Sequence, residues 1–482
     1  MQLRERTIRS IRITLLGTLS GAALQMLILV ILARLLLPRD YGAYAGALII
    51  IQPLQAGLLS TTERAIVIQG DASAENVSSV QGIMFWLMAI LAILIGVSGL
   101  LAARWFHNPT AATLAACTPI LPVAALAMAA RAQLRRSMAF RKLVVTDFIA
   151  QFLGAGCIAI LCAMMGLGPF SLVLGAFAQI SIQALGYRWG AIRAVRMGTN
   201  FAEARPTLKT AYFVGKISIL EILQGQIPPT FIGTILGTTP LGLYSRSSSL
   251  VQLPIELLVT SISRVIYSSF SSVREEKEKF IAAFYQLLEV ITVIVFPIAA
   301  GMAIAAPQLV GAILGNRWIE AEPLIAWFTV GCALNMTGTI FATVIESALH
   351  LNARFYGQLF IIFVGILSFA LLTNHGLIDA CIAFTITWSL CFVVQMVMAR
   401  NLLHLEFSQL LRSMTPGLIG AVAVGSYIFA VQTALPALIP TALLLIEVAG
   451  SGAILIVVVA VLFPRLFREL LNYSGLKQLV SG

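Results

Sequence analysis

From Ile13 to Phe463 this chain is a succession of apolar stretches, broken only by short polar turns. Each stretch holds about twenty residues, the length at which a helix rising 1.5 Å per residue crosses a hydrocarbon core. Hydrocarbon offers no hydrogen-bond partners, so only helices and closed barrels can span it. Barrel strands alternate apolar and polar residues, whereas these runs are continuous. Composition agrees. Charged residues make up 11% of the chain and hydrophobic residues 59%, with a mean hydropathy of +0.95. A soluble domain carries about 25% charged residues and could not cover its surface with so few.

The expected fold is therefore all-α and integral to a membrane, with about fourteen transmembrane helices. The expected spans are 13–33, 41–62, 82–103, 111–130, 143–165, 169–190, 211–236, 242–263, 283–306, 322–349, 355–374, 378–399, 415–435 and 438–463. Arg4, Arg6, Arg9 and Arg12 precede the first run, as in a signal peptide. The run to Leu37 is too long for a signal-peptide core, and it reads as a retained first span.

Charge placement orients the spans. With the N-terminus inside, only Arg34, Arg39, Arg104 and Arg317 of the 31 Lys and Arg residues fall on outer segments, and Lys216 and Arg246 lie within spans. All the others fall on inner segments, among them Arg131, Arg135, Arg136, Arg141 and Lys142. This is the asymmetry of the positive-inside rule, and it predicts an even number of spans with both termini cytoplasmic. The net charge of +11 thus reflects topology and does not point to nucleic acid. The mixed run Arg274-Glu275-Glu276-Lys277-Glu278-Lys279 reads as a solvated helix face.

An internal repeat is visible. Pro38-Arg39-Asp40-Tyr41-Gly42-Ala43-Tyr44 follows the first span, and Thr239-Pro240-Leu241-Gly242-Leu243-Tyr244 follows the seventh. Gly42, Tyr44 and Gln52 align with Gly242, Tyr244 and Gln252 at a common offset, on turns of the same topology. The expected organisation is a six-helix unit over 1–209, a second over 210–412, and two further helices with a cytoplasmic tail over 413–482. Transporters often carry such repeats.

Ionisable and amide groups at bilayer depth are the candidate site residues, because their insertion is costly unless they face a cavity or a partner. The seventh span carries Lys216, Glu221, Gln224 and Gln226 before Pro228-Pro229. Glu221 lies about 15 Å along it, near the midplane. Lys216 and Glu221 are about 140° apart around a helix, so they do not form an i,i+4 pair. The proline pair is expected to interrupt the hydrogen-bond ladder and free carbonyls, which is tolerable only within protein or beside a cavity. The alternative for Lys216 is snorkelling to the inner interface. In the eighth span Ser245, Ser249, Gln252, Glu256, Thr260 and Ser263 share one helical face, with Arg246 beside it. Such a face lines water, or else serves helix–helix hydrogen bonding. Thr14, Thr18, Gly21 and Gln25 form a weaker stripe in the first span. Gln52, Gln55, Asp147 and Gln151 are further candidates for the lining, with Asp147 alternatively paired to Arg141 or Lys142. Glu346 lies close to the inner interface.

Other chemistry finds no footing. There is no phosphate-binding loop, no metal-ligand spacing and no nucleophile motif. His107, His350, His375 and His404 are scattered. All six cysteines (Cys117, Cys157, Cys162, Cys332, Cys381, Cys391) lie in apolar runs, where thiols act as small packing residues. The outer loops are short. No catalytic or metal-binding residues are expected.

Leu32-Ala33-Arg34-Leu35-Leu36-Leu37-Pro38-Arg39-Asp40-Tyr41-Gly42 resembles the A-R-L-L-x-P-x-D-[FY]-G signature of bacterial polysaccharide transporters. Phe140-Arg141-Lys142-Leu143 followed by Asp147 resembles their F-R-x-L segment. The stretch from Gly233 to Arg264, with Pro240-Leu241-Gly242-Leu243-Tyr244 and Leu253-Pro254, resembles the start of their second half. Ala306-Pro307 through Gly315-Asn316-Arg317-Trp318 and Ala321-Glu322-Pro323-Leu324 resembles a further segment. Together these cover most of residues 1–335. They point to the lipopolysaccharide/exopolysaccharide flippase, colanic-acid-exporter-like branch of the multidrug/oligosaccharidyl-lipid/polysaccharide exporter superfamily.

The resemblance implies two six-helix lobes and alternating access. The implied substrate is a polyprenyl-diphosphate-linked oligosaccharide repeat unit, flipped across the bacterial inner membrane for lipopolysaccharide or exopolysaccharide synthesis. A polysaccharide polymerase and chain-length proteins are the implied partners, besides membrane lipid. Lys216 or Arg246 suits a diphosphate, and Arg34 is a cation near a cavity mouth or an anchor of the first span. No cofactor is expected, and Glu221 or Glu256 is the candidate for proton or sodium coupling. The rival readings are a drug or metabolite exporter of the same architecture and a non-transporting membrane component of polysaccharide assembly.

Overall fold

A computed structural model describes residues 2–69, 73–191, 196–272, 277–347, 351–436 and 438–466, with side chains for all of these except 2–16, 217, 256–272, 277 and 351. The described residues are helical and contain no strand. Two compact units divide after Ser245.

The first unit contains α1 (Gln2–Leu35), α2 (Pro38–Leu54), α3 (Thr61–Ile68), α4 (Ala74–Phe106), α5 (Pro109–Cys117), α6 (Ile120–Arg136), α7 (Phe140–Ala150), α8 (Ala159–Met164), α9 (Pro169–Gly190), α10 (Phe201–Phe231) and the start of α11 (Thr238–Ser272). The second holds the rest of α11, then α12 (Lys277–Ile304), α13 (Ala306–Leu309), α14 (Glu322–Ser347), α15 (Leu351–Leu372), α16 (Leu377–Leu403), α17 (Phe407–Ala434) and α18 (Pro440–Leu462). The division lies beyond the repeat-based boundary at 209/210, because α10 packs on α2, α3 and α4.

Among the described residues, twelve helices are long and apolar enough to cross a membrane. The expected seventh and eighth spans are not among them. α10 is 31 residues long, but Lys216, Glu221, Gln224 and Gln226 lower its hydropathy. α11 is 35 residues long, and part of it lies beyond the described side chains. Outward faces confirm lipid as the solvent. Trp86, Ile90, Ile93, Val97 and Leu101 of α4 are all exposed and recur at helical spacing, a stripe that water would not tolerate.

Local chemistry explains the motif after the first span. Pro38 opens α2, where its missing N–H costs nothing. Leu37 is extended, and its N–H donates to the Asp40 carboxylate at 3.0 Å, so Asp40 caps the helix from its third position. The proline pair Pro228-Pro229 lies inside α10, within the expected span 211–236. The helix runs on to Phe231 and widens into a π-helical segment, Ile232–Leu236. Thr230 Oγ1 donates to the Gln226 carbonyl at 2.6 Å there, so side chains supply hydrogen bonds along this stretch. Similar π segments at Gln55–Ser60 and Gln151–Ile158 lie in the second and fifth spans.

In the second unit α17 packs along α12 through small residues. Cβ atoms on Gly417, Gly420 and Gly425 would meet Thr292, Pro297 and Ile304, and α18 lies against α17. Close backbone approach of this kind is the usual source of packing energy between helices in lipid, where no hydrophobic effect drives association.

Candidate functional site

Within the first unit, α2 with its π segment, α3, α6, α9 and α10 line an open cavity of about 460 Å³. Its walls are unusually polar for a bundle this apolar. Gln52, Gln55, Gln183 and Gln226 supply amides, Glu63 and Glu221 carboxylates, Arg131 a guanidinium and Tyr187 a hydroxyl.

The charged end is built from four helices, α3, α6, α7 and α9. Glu63 of α3 is 4% exposed. Its carboxylate faces Arg135 Nε at 3.0 Å and Arg131 Nη1 at 3.8 Å. The two arginines are one turn apart on α6, so one face of that helix presents both to a single acid. Arg131 also lies over the Tyr187 ring, 5.8 Å from its centroid, an attractive position for a cation. Tyr187 donates its hydroxyl to Asp147 Oδ1, and Gln183 Nε2 donates to the same oxygen at 3.0 Å. Asp147 thus holds two wall residues in place. Gln226 Nε2 is 3.4 Å from Gln52 Oε1 across the other end. Arg131 Nε and Gln55 Nε2 are buried without hydrogen-bond partners, so this lining has donors to offer a solute.

Of the residues singled out in the sequence, Gln52, Gln55, Glu221 and Gln226 meet on this cavity. Gln224 is buried outside it, and Gln25 and Arg34 are exposed outside it. Lys216 is exposed as well, with its ammonium 5.2 Å from the centroids of both Tyr212 and Phe213. Asp147 bonds to Tyr187 and Gln183 rather than to its basic neighbours, and Lys142 Nζ instead donates to the Gly190 carbonyl at 3.1 Å. Gln151 donates to the Gly21 carbonyl at 3.2 Å, joining the fifth span to the first. Arg246, Ser249 and Gln252 are half-buried in the second unit. The Glu256 side chain lies outside the described residues, as does the backbone of Arg274, Glu275 and Glu276. Glu346 pairs with Arg354, whose Nε lies 3.0 Å from it and whose Nη1 donates to Gln358 at 2.7 Å.

Sequence reasoning missed Glu63, Arg131, Gln183 and Tyr187 as wall residues. Arg131 and Arg135 counted only as topology markers. Their i,i+4 spacing, with a lone acid at the same membrane end of the second span, is the signal that could have found them.

Comparison with known proteins agrees with the fold and the class. Residues 31–323 match the family model described as polysaccharide biosynthesis protein. The chain is 28% identical over 309 residues to the succinoglycan biosynthesis transport protein ExoT of Rhizobium meliloti, a match covering 61% of this chain and 60% of that protein. It is 22% identical over 374 residues to the lipopolysaccharide biosynthesis protein WzxC of Escherichia coli, covering 75% and 74%. Among solved structures, the lipid II flippase MurJ in an inward closed conformation superposes with a TM-score of 0.78 at 12% identity, over 94% of this chain and 98% of that one. An inward-facing multidrug resistance MATE family transporter of the MOP superfamily superposes with a TM-score of 0.59 at 16% identity, over 81% and 98%.

Proposed function

The chain belongs to the polysaccharide biosynthesis protein family, and from that membership we propose that it flips a polyprenyl-diphosphate-linked oligosaccharide across a bacterial inner membrane. The observation that carries this reading is the amide-rich cavity inside a membrane-spanning unit. Its volume of about 460 Å³ falls in the range of small-ligand sites, about 300–1,000 Å³. Glutamine side chains both donate and accept, which suits the hydroxyls of a sugar. Arg131, with Nε free to donate, suits a diphosphate oxygen. The prenyl tail stays in lipid while the head group crosses beside these residues.

With both termini cytoplasmic, Glu63, Arg131, Asp147 and Tyr187 stand at the cytoplasmic end of their spans, where a lipid-linked precursor would be loaded. An inside-negative potential then favours export of an anion by about 2.3 kcal/mol per charge per 100 mV. The proposed role is transport without catalysis, in company with a polymerase and chain-length proteins. Glu221 or Glu256 is the proposed coupling group within this cycle.

The test is reconstitution of the purified chain alone in liposomes with a labelled polyprenyl-diphosphate oligosaccharide, scoring access of the label to an external glycan-modifying enzyme. Protein-dependent movement is expected. Movement no faster than in empty liposomes, under any imposed ion gradient, overturns the reading in favour of a non-transporting role.

A further inference from the structure

Glu447 is the one charged residue of α18, and it is buried, with 1% of its surface exposed. It stands seven residues after Pro440, about 10 Å along the helix and inside the membrane-spanning length. Gln432, near the end of α17, reaches it. The Gln432 amide nitrogen lies 2.9 Å from Glu447 Oε1, 3.1 Å from Gln308 Oε1 and 3.2 Å from the Ile304 carbonyl oxygen. An amide nitrogen carries two hydrogens, so three acceptors compete for two donors. The second carboxylate oxygen, Glu447 Oε2, is buried with no hydrogen-bond partner. So is Ser451 Oγ, one turn further along the same face of α18. The cluster is rich in oxygens and short of protons.

It is also short of positive charge. Segments 297–315 and 415–462 contain the parts of α12, α13, the π segment Val310–Leu314 and α17 that pack along this region, together with α18 itself. They hold no Lys, Arg or His. Tyr427 is their only other ionisable side chain, and its hydroxyl donates to the Ile446 carbonyl at 3.1 Å. Glu289 of α12, Arg412 of α17 and Arg465 each stand at least about 20 Å along the chain axis from this cluster. Arg317 and Glu320 follow the π segment and are exposed. A buried carboxylate without a neighbouring cation is costly enough that it acquires its own counter-charge.

We infer that Glu447 binds a small monovalent cation, a proton or Na⁺, with the oxygens of Ile304, Gln308 and Ser451 around it. One carboxylate neutralises one positive charge. Carboxylate, carbonyl, amide and hydroxyl oxygens are donors suited to a hard cation. Because the group bridges α12, α13, α17 and α18, its loading changes how tightly the last two helices are tied to α12 and α13 within the second unit. This site lies apart from the sugar-sized cavity and does not depend on which solute the chain moves. It gives the protein a means of sensing or using an ion gradient through its C-terminal helix pair.

Infrared difference spectra of the full-length protein in lipid nanodiscs test this without any solute. Wild type is expected to show a buried carboxylic-acid carbonyl band at acid pH that fades as pH rises, and Glu447→Gln is expected to lack it. Replacing choline chloride with NaCl at fixed pH removes the band if Na⁺ competes, and leaves it if the site takes only protons. Ser451→Ala and Gln308→Leu are expected to keep the band but shift its midpoint by about tenfold in cation concentration. These two variants also carry the test should Glu447→Gln fail to insert. Spectra of wild type and Glu447→Gln that match at every pH and salt overturn the inference. So does a band that answers to neither cation, or midpoints unmoved in both supporting variants.

Discussion

Gly42 and Gly242 pack backbone to backbone, each filling the space that a side chain on the other would need. A Cβ on Gly42 would strike the carbonyl oxygen of Thr238, and one on Gly242 would strike that of Pro38. Each would also meet the other's amide nitrogen, at 3.0 and 2.9 Å. The contact is reciprocal, and its members are the same residues that align in the internal repeat. The repeated Gly-x-Tyr is therefore a structural pairing: each copy of the turn is the surface against which the other closes.

Backbone atoms cannot rotate away as side chains do, so Gly42→Ala and Gly242→Ala are each expected to destabilise the protein by about 1–3 kcal/mol, as for other overpacked sites. Thermal unfolding in detergent measures this. Gly452→Ala serves as the control, because nothing lies within 4 Å of its Cβ position, and its midpoint is expected to stay with wild type.

Glu63 answers two arginines from a buried position. Glu63→Ala leaves both guanidiniums without their counter-ion, that of Arg131 at the cavity wall. A fully buried pair would lose about 3–5 kcal/mol, but the arginines are more than a third exposed, and water reduces the cost to about 1–2 kcal/mol. Chemical-denaturant titration of the purified variant gives the value. Arg135→Gln is expected to cost less than Arg131→Gln, because Arg131 also stacks on Tyr187.

The amide walls carry the transport proposal most directly. Gln52→Ala and Gln183→Ala are expected to slow movement of the labelled lipid-linked sugar about tenfold each, a loss of about 1.4 kcal/mol of transition-state stabilisation, with normal expression and unfolding midpoint. Tyr187→Phe removes one hydroxyl from Asp147 and leaves Gln183 bonded to it. A smaller effect than Gln183→Ala is expected in the same liposome assay.

The proposed coupling residues separate by gradient. With a pH or Na⁺ gradient imposed, Glu221→Gln or Glu256→Gln is expected to abolish the gradient's effect on the labelled-sugar rate while sparing gradient-free exchange. Rates that keep their full response to both gradients in both variants remove these two carboxylates from the mechanism.

Much of this protein was legible in the chain itself. Continuous apolar runs leave helices as the only way to satisfy backbone groups in lipid. The turn at Pro38 to Gly42 could be read because capping is local: Pro38, Asp40 and Leu37 act within four residues. Glu221, Gln52 and Gln226 could be nominated because polar groups stand out in an apolar sequence.

What the sequence could not determine was partnership across helices. Lys216 and Glu221 are equally conspicuous on α10 and both exposed, yet Glu221 borders the cavity while Lys216 lies outside it beside two aromatic rings. Glu447 drew no attention in the sequence and proved the least exposed carboxylate among the described residues. The physical reason is the same in each case. Span length, orientation and capping are set by residues a few positions apart and by the solvent, whereas burial and pairing depend on which helix faces are turned toward each other. In a bundle held by close packing rather than by a hydrophobic effect, only the tertiary structure decides that.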